Sequence, residues 1–324
     1  MTQTHVVNRI QMNETEALPR SRIPASHERP LINKGHAAFF RKNGYLVVPD
    51  ALSPAEIEEL RREAIRICRG ELGPIPGAPP CQSGESDDEV LKRVLCIHNP
   101  HKISKVMLGY LAQQTMVEVL TRIIGPNVKA MQSMLFIKAA GKPGQAWHQD
   151  EFYIPTRDRS LNGGWIALDD ATTENGCLWV IPGSHRHGVL WPQHWHGDRR
   201  FDCAGEAIDF PYTDDDAVPV EVKAGSVVFF NGYLLHRSLP NRAKSGFRRA
   251  FVNHYMSAES FLPWQAPKEG QSVATTDFRD IVMVAGKDPH AYKGIEDIQR
   301  PSVRPSGEGG CESWGQPKYY KNEK

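Results

Sequence analysis

The sequence lacks several patterns that would assign it at once to a class of protein. Its six cysteines are scattered and include no Cys-x-x-Cys pair, which would be expected of a zinc ribbon. A chain of 324 residues does not need disulfides to stabilise its core, so free thiols are expected. No run of about 18 apolar residues is present, as a membrane-spanning helix would require. The net charge of +1 provides no strong field for nucleic acid or an anionic membrane.

Targeting signals are missing as well. The stretch MTQTHVVNRIQMNETEALPR has no apolar core of the kind found in secretory signals, and YYKNEK is not a peroxisomal SKL-type signal. We therefore expect a cytoplasmic protein that binds neither nucleic acid nor membrane. The hydrophobic share of 40% is that of an ordinary globular chain.

Composition divides the chain into three parts. Residues 1–31 are polar and contain proline, which predicts a flexible segment. Residues 32–260 are interpreted as one domain, with helices within 36–124 and a β core within 128–258. The remaining residues, 261–324, are rich in proline, glycine and charge and are expected to form an extension that wraps the surface.

Helix signals are concentrated in the first half of the domain. HAAFFRKNG predicts a helix that ends at Gly44, and the capping box Ser53-Pro54-Ala55-Glu56 predicts a helix that continues to about Cys68. A further helical pattern runs from Ile103 to Ile124. The Gly-, Pro- and acid-rich residues 70–88 lie between these patterns and are interpreted as a mobile lid or insertion.

From residue 128 the pattern changes to short β-branched and aromatic runs such as MQSMLFIKA, AWHQDEFYI, GWIALDDAT and RRAFVNHYM. Such runs predict strands, and the lack of long helices between them favours an antiparallel sandwich or barrel. A His- and Trp-rich insertion, residues 185–216, interrupts the series. Its acidic run TDDDA, residues 213–217, is expected to be a solvated loop.

The stretch WHQD places His148 and Asp150 two positions apart. Alternate side chains of a strand share a face, so both can point to one metal ion. A second histidine would complete the two-histidine, one-carboxylate face of non-haem Fe(II) oxygenases, which leaves coordination positions open. His236 is the best placed, because it follows AGSVVFFNGYLL at the start of another strand. The other candidates are His185, His187, His194, His196 and His254.

Two patterns compete with this metal site. His194 and His196 have ligand spacing of their own, but a solvated loop is the expected setting of both. Cys96, His98 and His101 suggest a zinc corner, although a matching second half is missing. His148 and Asp150 by themselves also fit a structural hydrogen-bonded pair, and it is the later His236 and Arg248 that favour a functional site. The guanidinium of Arg248, in GFRR, suits a carboxylate through paired hydrogen bonds.

Taken together, these residues resemble the phytanoyl-CoA dioxygenase family. The similarity lies in WHQD, WIALDDATTENGCLWVIPGSH and HRSLPNRAKSGFRRAF, which occur in the family's order, and in the opening GYLVVPDALSPAEIEELRREA. It covers residues 35–260. The resemblance implies a mainly β fold with flanking helices, in which the core is a double-stranded β-helix, or jelly roll, of the cupin type.

The resemblance also implies the residues of the site. Fe(II) is expected on His148, Asp150 and His236. The residues expected near 2-oxoglutarate are Arg248, Ser238, Trp165, Gln149 and Met134. Arg248 and Ser238 would hold the distal carboxylate, and strand alternation turns Gln149 away from the metal. Only one of Arg248 and Arg249 can point inward, and the position directly after GF favours Arg248.

The implied activity is hydroxylation of an unactivated C–H bond in a small molecule, with dioxygen as oxidant, release of succinate and CO2, and ascorbate to sustain turnover. Asp150 stands where related halogenases have a small residue, which favours hydroxylation over chlorination. The alternatives are a cupin-like protein that binds a metal or small molecule without turnover, and a metal-dependent isomerase or hydrolase. Neither requires the arginine. Residues 70–88 and 185–216 are expected to cover the mouth of the site.

Overall fold

The structure, a computed structural model, describes residues 32–202 and 205–305. The flexible segment predicted for residues 1–31 and the last part of the predicted extension lie outside these residues. In the described part, no helix is both long enough and apolar enough to cross a membrane. Four described cysteines are free thiols, as expected: Cys68, Cys81, Cys96 and Cys177.

Short helices precede and flank the β core. The α-helices are Lys34–Asn43 (α1), Pro54–Cys68 (α2), Asp87–Lys92 (α3), Lys105–Tyr110 (α4), Gln114–Ile123 (α5) and Asp150–Tyr153 (α6), and the 3₁₀ turns are Pro100–Lys102, Ser184–His187, Asp214–Asp216 and Ala291–Lys293. Helix α1 ends at Gly44 in the left-handed conformation, and α2 begins with the predicted capping box between Ser53 and Glu56. Both predictions are confirmed.

The single helical pattern predicted from Ile103 to Ile124 is wrong, because the chain forms two helices there, α4 and α5. Gln113 separates them. Its side-chain oxygen accepts hydrogen bonds from the backbone N–H groups of Thr115 and Met116 and so caps α5. Its side-chain nitrogen donates to the carbonyl of Ala51. A tertiary contact therefore begins a new helix where apolar periodicity continues.

The strands of the described residues form two larger antiparallel sheets and one separate two-stranded sheet. They are Tyr45–Val48 (β1), Val94–His98 (β2), Val128–Ala139 (β3), Gln145–His148 (β4), Asn162–Ala167 (β5), Leu178–Val180 (β6), Gln193–His194 (β7), Glu206–Ala207 (β8), Val218–Val220 (β9), Val227–Asn231 (β10), His236–Ser238 (β11), Phe247–Ser257 (β12), Val282–Ala285 (β13) and Ser302–Pro305 (β14). The main sheet has the order β1-β10-β5-β12-β3-β2-β14, with β13 also paired to β3. The minor sheet has the order β4-β11-β6-β9, and β7 pairs with β8 in the insertion. This is the predicted jelly roll.

The main sheet is apolar on both faces. On neighbouring positions of β10, Phe229 belongs to the core against the helices, whereas Phe230 belongs to the core between the two sheets. On β12, Phe251 likewise packs in the core against the helices, and Val252 packs in the core between the two sheets. A sheet that is buried on both sides explains why the strands read as continuous apolar runs, and it leaves the space between the sheets for a site.

The extension contributes two strands that the composition of residues 261–324 does not predict. Strand β13 pairs with β3, and β14 pairs with β2 at the edge of the main sheet. Arg304 of β14 then donates a hydrogen bond of 2.7 Å to Asp202 in the insertion. This contact joins the insertion to the C-terminal extension.

Candidate active site

Three predicted metal ligands converge between the two sheets. His148 of β4 and His236 of β11 stand opposite each other in the minor sheet, although they are distant in sequence. Each Nε2 lies 3.7 Å from Oδ1 of Asp150. The three donor atoms all lie within 4.8 Å of one another, and all three side chains are largely buried. This arrangement fits one metal ion with an open face.

Backbone carbonyls set the tautomer of both imidazoles. Nδ1 of His148 lies 2.8 Å from the carbonyl oxygen of Ala146, and Nδ1 of His236 lies 2.9 Å from that of Leu234. A carbonyl oxygen only accepts, so in each ring Nδ1 carries the proton and Nε2 offers its lone pair to the metal. Both rings are thereby oriented as ligands before any ion binds.

Asp150 reaches the site from an element that the pattern AWHQDEFYI does not predict. The strand ends at His148, and Asp150 is the first residue of α6, so the prediction that both ligands lie in one strand is wrong. Gln149 between them keeps an extended backbone, with φ −129° and ψ 125°. The alternation of side chains therefore continues to Asp150 even though strand pairing has stopped.

The electrostatics suit a metal site. Burial alone would raise the pKa of Asp150, but the nearby His236 and His254 hold it below its ordinary range. Burial, with His236 beside it, lowers the pKa of His148 to about 4. At neutral pH the site therefore contains a carboxylate and an unprotonated His148, which are the forms that bind a divalent cation.

His254 of β12 completes the surroundings of the carboxylate. Its Nε2 lies 3.0 Å from Oδ2 of Asp150, the oxygen that does not face the two histidine ligands. This contact orients the carboxylate, in the way that hydrogen-bond partners of metal ligands commonly do. Alternation along RRAFVNHYM places His254 on the face of Arg248, but sequence alone does not tell a packing role from this contact.

Arg248 and Arg249 point in opposite directions from β12. Arg249 forms an ion pair with Asp169, in which Nε and Nη2 lie 2.8 and 2.7 Å from the carboxylate oxygens. Arg248 is only 3% exposed, its guanidinium lies 5.5 Å from the ring centroid of Trp165, and it lines the cavity. Its Nε has no hydrogen-bond partner among the described residues. Burial lowers the pKa of Arg248 to about 10, so it remains a cation at neutral pH.

A buried guanidinium without an acidic partner is costly unless an anion completes it. The cavity that Arg248 shares with the metal ligands also contains Ser238, Trp165 and Met134. The structure thus brings four of the five residues predicted near 2-oxoglutarate to one place. The donor set at one end and the unpaired cation at the other fit Fe(II) and a dicarboxylate.

Gln149 is the predicted co-substrate residue that the structure does not bring to the cavity. Its amide nitrogen donates to the carbonyls of Tyr233 and Val189, at 2.8 and 2.9 Å. Its amide oxygen accepts from the backbone N–H of Trp191 at 2.9 Å. These contacts hold the beginning of the insertion against the metal-binding turn, which is why the side chain faces away from the cavity.

Lys138 is a cavity residue that the sequence analysis missed. It stands opposite Arg248 in the β3–β12 register and is 4% exposed. Its Nζ donates to Oγ of Ser238 at 2.9 Å and to the carbonyl of Leu239 at 2.7 Å. The pattern MQSMLFIKA contains a signal for it, because alternation puts Lys138 on the same face as Met134 and Phe136.

The insertion contacts the outer face of the minor sheet. Arg237, between His236 and Ser238, lies 4.5 Å from the ring centroid of Trp147 and 5.8 Å from that of Trp179. Nη1 of Arg237 also lies 2.9 Å from Oδ1 of Asp214. Asp214 belongs to the run predicted to be solvated, and it is largely exposed, but it also anchors the insertion behind the metal ligands.

The competing histidines do not join the group of candidate metal ligands. His194 is exposed and lies 3.2 Å from Glu206, and His185 lies 3.2 Å from the carbonyl of Arg41. His196 is buried beside Phe201, so the expectation of a solvated setting is wrong for this residue. The group of described side chains that meets the spacing of a metal site consists of His148, Asp150 and His236.

The two segments expected at the mouth behave differently. The insertion contributes Asp202 to the cavity, whereas no lining residue comes from residues 70–88, all of which are described. Residues 70–88 instead contact the edge of the main sheet, where the N–H of Val303 donates to the carbonyl of Pro76 at 2.9 Å. The expectation that residues 70–88 cover this cavity is therefore not met.

A family model of phytanoyl-CoA dioxygenase matches residues 40–250, more than half of the chain. The chain belongs to the phytanoyl-CoA dioxygenase family. As a member of this family it is an Fe(II)/2-oxoglutarate-dependent dioxygenase, with iron as cofactor and 2-oxoglutarate as co-substrate.

The peroxisomal phytanoyl-CoA dioxygenase of Rattus norvegicus is 31% identical over 236 residues, which cover 68% of this chain and 67% of the rat protein. The phytanoyl-CoA dioxygenase of Arabidopsis thaliana is 38% identical over 135 residues, covering 40% and 44%.

Solved structures share the fold of this dioxygenase family member. The non-haem monooxygenase ThoJ has a TM-score of 0.58 at 21% identity, covering 78% of this chain and 84% of ThoJ. EvdO2 from Micromonospora carbonacea var. aurantiaca, in complex with 2-oxoglutarate, has a TM-score of 0.55 at 23% identity, covering 75% and 97%. The epimerase SnoN from nogalamycin biosynthesis has a TM-score of 0.57 at 18% identity, covering 78% and 98%. At these identities the likeness concerns the fold alone.

Proposed function

We propose that this enzyme hydroxylates an unactivated C–H bond of a small molecule, with consumption of dioxygen and 2-oxoglutarate and release of succinate and CO2. The observation that carries the proposal is a single cavity that contains both a two-histidine, one-carboxylate group and the buried guanidinium of Arg248, whose Nε has no hydrogen-bond partner among the described residues. Iron with bound 2-oxoglutarate supplies the activation of dioxygen and the electrons for it. The protein supplies the binding, the orientation and the exclusion of water.

In this proposal His148, Asp150 and His236 hold Fe(II) from one side. One carboxylate on a divalent ion leaves a net positive centre, which favours an anionic co-substrate on the open side. The carbonyl contacts of both imidazoles and the contact of His254 with Asp150 keep the three ligands in place while the other positions exchange.

Arg248 and Ser238 are the proposed partners of the distal carboxylate of 2-oxoglutarate. A guanidinium binds a carboxylate through parallel hydrogen bonds and thereby sets its orientation as well as its position. The Trp165 ring beside the guanidinium restricts its motion. The apolar wall formed by Met134, Phe136 and Phe230 keeps water from this end of the cavity.

Asp150 favours hydroxylation over halogenation, because its carboxylate occupies the position that a halide would need. The non-catalytic alternative, a cupin-like binding protein, accounts for a metal site but provides no reason for a buried arginine without an acidic partner. Apolar and charged lining residues together suit a small organic substrate. A cytoplasmic location remains a prediction from the sequence.

The proposal is tested by following succinate formation from 2-oxoglutarate, with Fe(II) and ascorbate, in the presence and absence of candidate small molecules. Slow turnover is expected without substrate, and stimulation together with a product heavier by one oxygen atom is expected with the correct one. Arg249→Ala serves as the matched control for Arg248→Ala. An iron-loaded protein that binds no 2-oxoglutarate and forms no succinate would sink the proposal.

A further inference from the structure

Two basic side chains lie side by side in the cavity. Lys138 and Arg248 are direct partners in the β3–β12 register, and they are 4% and 3% exposed. Like charges on opposite positions of neighbouring strands destabilise a sheet. Burial first, and Arg248 second, lower the pKa of Lys138 well below its ordinary value. A fold retains such a pair where an anion or strong acceptors compensate for it.

The ammonium of Lys138 already has its acceptors. Nζ lies 2.9 Å from Oγ of Ser238, 2.7 Å from the carbonyl oxygen of Leu239 and 3.5 Å from that of Gly176. An ammonium has three N–H groups, so these three acceptors account for all of them. Lys138 therefore has no donor left for direct contact with a ligand.

The hydroxyl group of Ser238 can still donate one hydrogen bond. Its oxygen accepts from Lys138, and its own hydroxyl proton has no acceptor among the described residues. The hydroxyl lines the cavity that also contains Arg248 and the three candidate metal ligands. With the lone pair turned to Lys138, the proton is available to the cavity, where an anion beside Arg248 would accept it.

The remaining charges around Lys138 do not cancel the pair. Asp202 of the insertion faces the same region, but it accepts a hydrogen bond of 2.7 Å from Arg304 of β14. The Cys177 side chain is a neutral thiol, because burial raises its pKa to about 11. This end of the cavity therefore has a net positive charge, which complements a carboxylate.

We propose that Lys138 is a positioning residue for 2-oxoglutarate, which acts through Ser238 by turning its hydroxyl proton toward the distal carboxylate. The inference rests on the proposed function and adds a residue to its co-substrate site. Lys138 also raises the local positive charge beside Arg248. The carboxylate would then receive hydrogen bonds from Arg248 and Ser238, with Lys138 behind the serine.

A double-mutant cycle tests this coupling. Dissociation constants for 2-oxoglutarate and for the metal are measured without oxygen on the Fe(II)-loaded full-length chain, for Lys138→Met, Ser238→Ala and the double variant. Ser238→Ala is expected to weaken 2-oxoglutarate about tenfold, and Lys138→Met at least as much. In the Lys138→Met background, Ser238→Ala should add less than about twofold, because the serine is no longer oriented. The metal dissociation constant should not change.

Two further variants control for folding and charge. Lys138→Gln retains an N–H donor without the charge and is expected to bind 2-oxoglutarate with intermediate affinity. Lys244→Met, at an exposed residue in the loop before β12, should bind 2-oxoglutarate as tightly as the unaltered protein does.

Additive effects of the two substitutions, a parallel loss of metal affinity in Lys138→Met or Lys138→Gln, or normal 2-oxoglutarate binding by Ser238→Ala would overturn the inference. If the unaltered protein binds 2-oxoglutarate and Arg248→Ala does not, only the role of Lys138 is rejected.

Discussion

The main and minor sheets differ in how their site residues are held in place. In the main sheet, β3 and β12 pair from Val128 to Ala139 and from Phe247 to Ser257, and they carry Arg248 and His254. In the minor sheet, β4 and β11 contain four and three residues, and they carry His148 and His236. Arg248 thus rests on a long backbone ladder, whereas the two histidine ligands rest on very short strands.

Side-chain contacts replace the missing backbone ladder at the metal end. Arg237 of β11 lies against Trp147 of β4 and Trp179 of β6, so one guanidinium joins β11 to its two neighbouring strands on the outer face of the minor sheet. Partly buried cation–π contacts contribute about 1 kcal/mol each. The geometry of the metal ligands on these short strands therefore depends on a few side chains. Substitutions in the minor sheet should lower metal affinity, whereas substitution of Arg248 in the main sheet should lower 2-oxoglutarate affinity.

The largest effect is expected for Asp150→Ala. Loss of the single carboxylate removes the only anionic member of the proposed ligand set, so iron retention and succinate formation should both be abolished. Iron content after gel filtration measures this directly. Asp170→Ala, at an exposed residue paired with Lys223, is the matched control. Normal iron content in Asp150→Ala would show that the metal binds elsewhere.

Arg248→Ala should affect the other end of the cavity. Loss of the buried cation is expected to raise the dissociation constant for 2-oxoglutarate about a hundredfold while the iron affinity stays the same. Calorimetric titration of the iron-loaded protein provides both values. Arg249→Ala, which breaks the ion pair with Asp169, should lower thermal stability and leave 2-oxoglutarate binding intact. The reverse pattern would mean that Arg249 is the clamp.

His254→Ala probes a contact that crosses from the main sheet to the metal. Without its hydrogen bond to Oδ2, the Asp150 carboxylate is free to rotate, and metal affinity should fall about tenfold. The test is competition for Fe(II) or Co(II) with a chelator of known affinity. His194→Ala, at an exposed residue of the insertion, should have no effect. An unchanged metal affinity in His254→Ala would assign the contact to packing alone.

Arg237→Met is expected to have the smallest effect. The variant keeps an apolar side chain between the two indoles but loses the cation–π contacts, which should weaken metal binding about fivefold and spare 2-oxoglutarate. Arg200→Met, which removes a similar contact with Phe201 in the insertion, is the matched control. Equal metal affinities of the two variants would contradict the view that side chains on the outer face hold the metal-binding strands together.

Much of the site was predictable because its residues occur in short, ordered motifs. The candidate ligands His148, Asp150 and His236 lie together, and of the two arginines in GFRR, Arg248 lines the cavity whereas Arg249 contacts Asp169. The prediction that Asp150 lies in a strand was wrong, because the end of a strand depends on where its partner strand ends. Gln149 faces away from the metal, as strand alternation indicates, but it lies outside the cavity because its contacts are backbone groups that are distant in sequence.

Local patterns in the sequence by themselves determined the helix caps of α1 and α2, the β character of the second half and the chemical types of the site residues. These properties depend on neighbours within a few positions along the chain. Only the tertiary structure decided that β4 pairs with β11, that Lys138 stands beside Arg248, and that His254 reaches Asp150. Those contacts join residues that are distant in sequence, and their geometry follows from strand register and from packing between the two sheets.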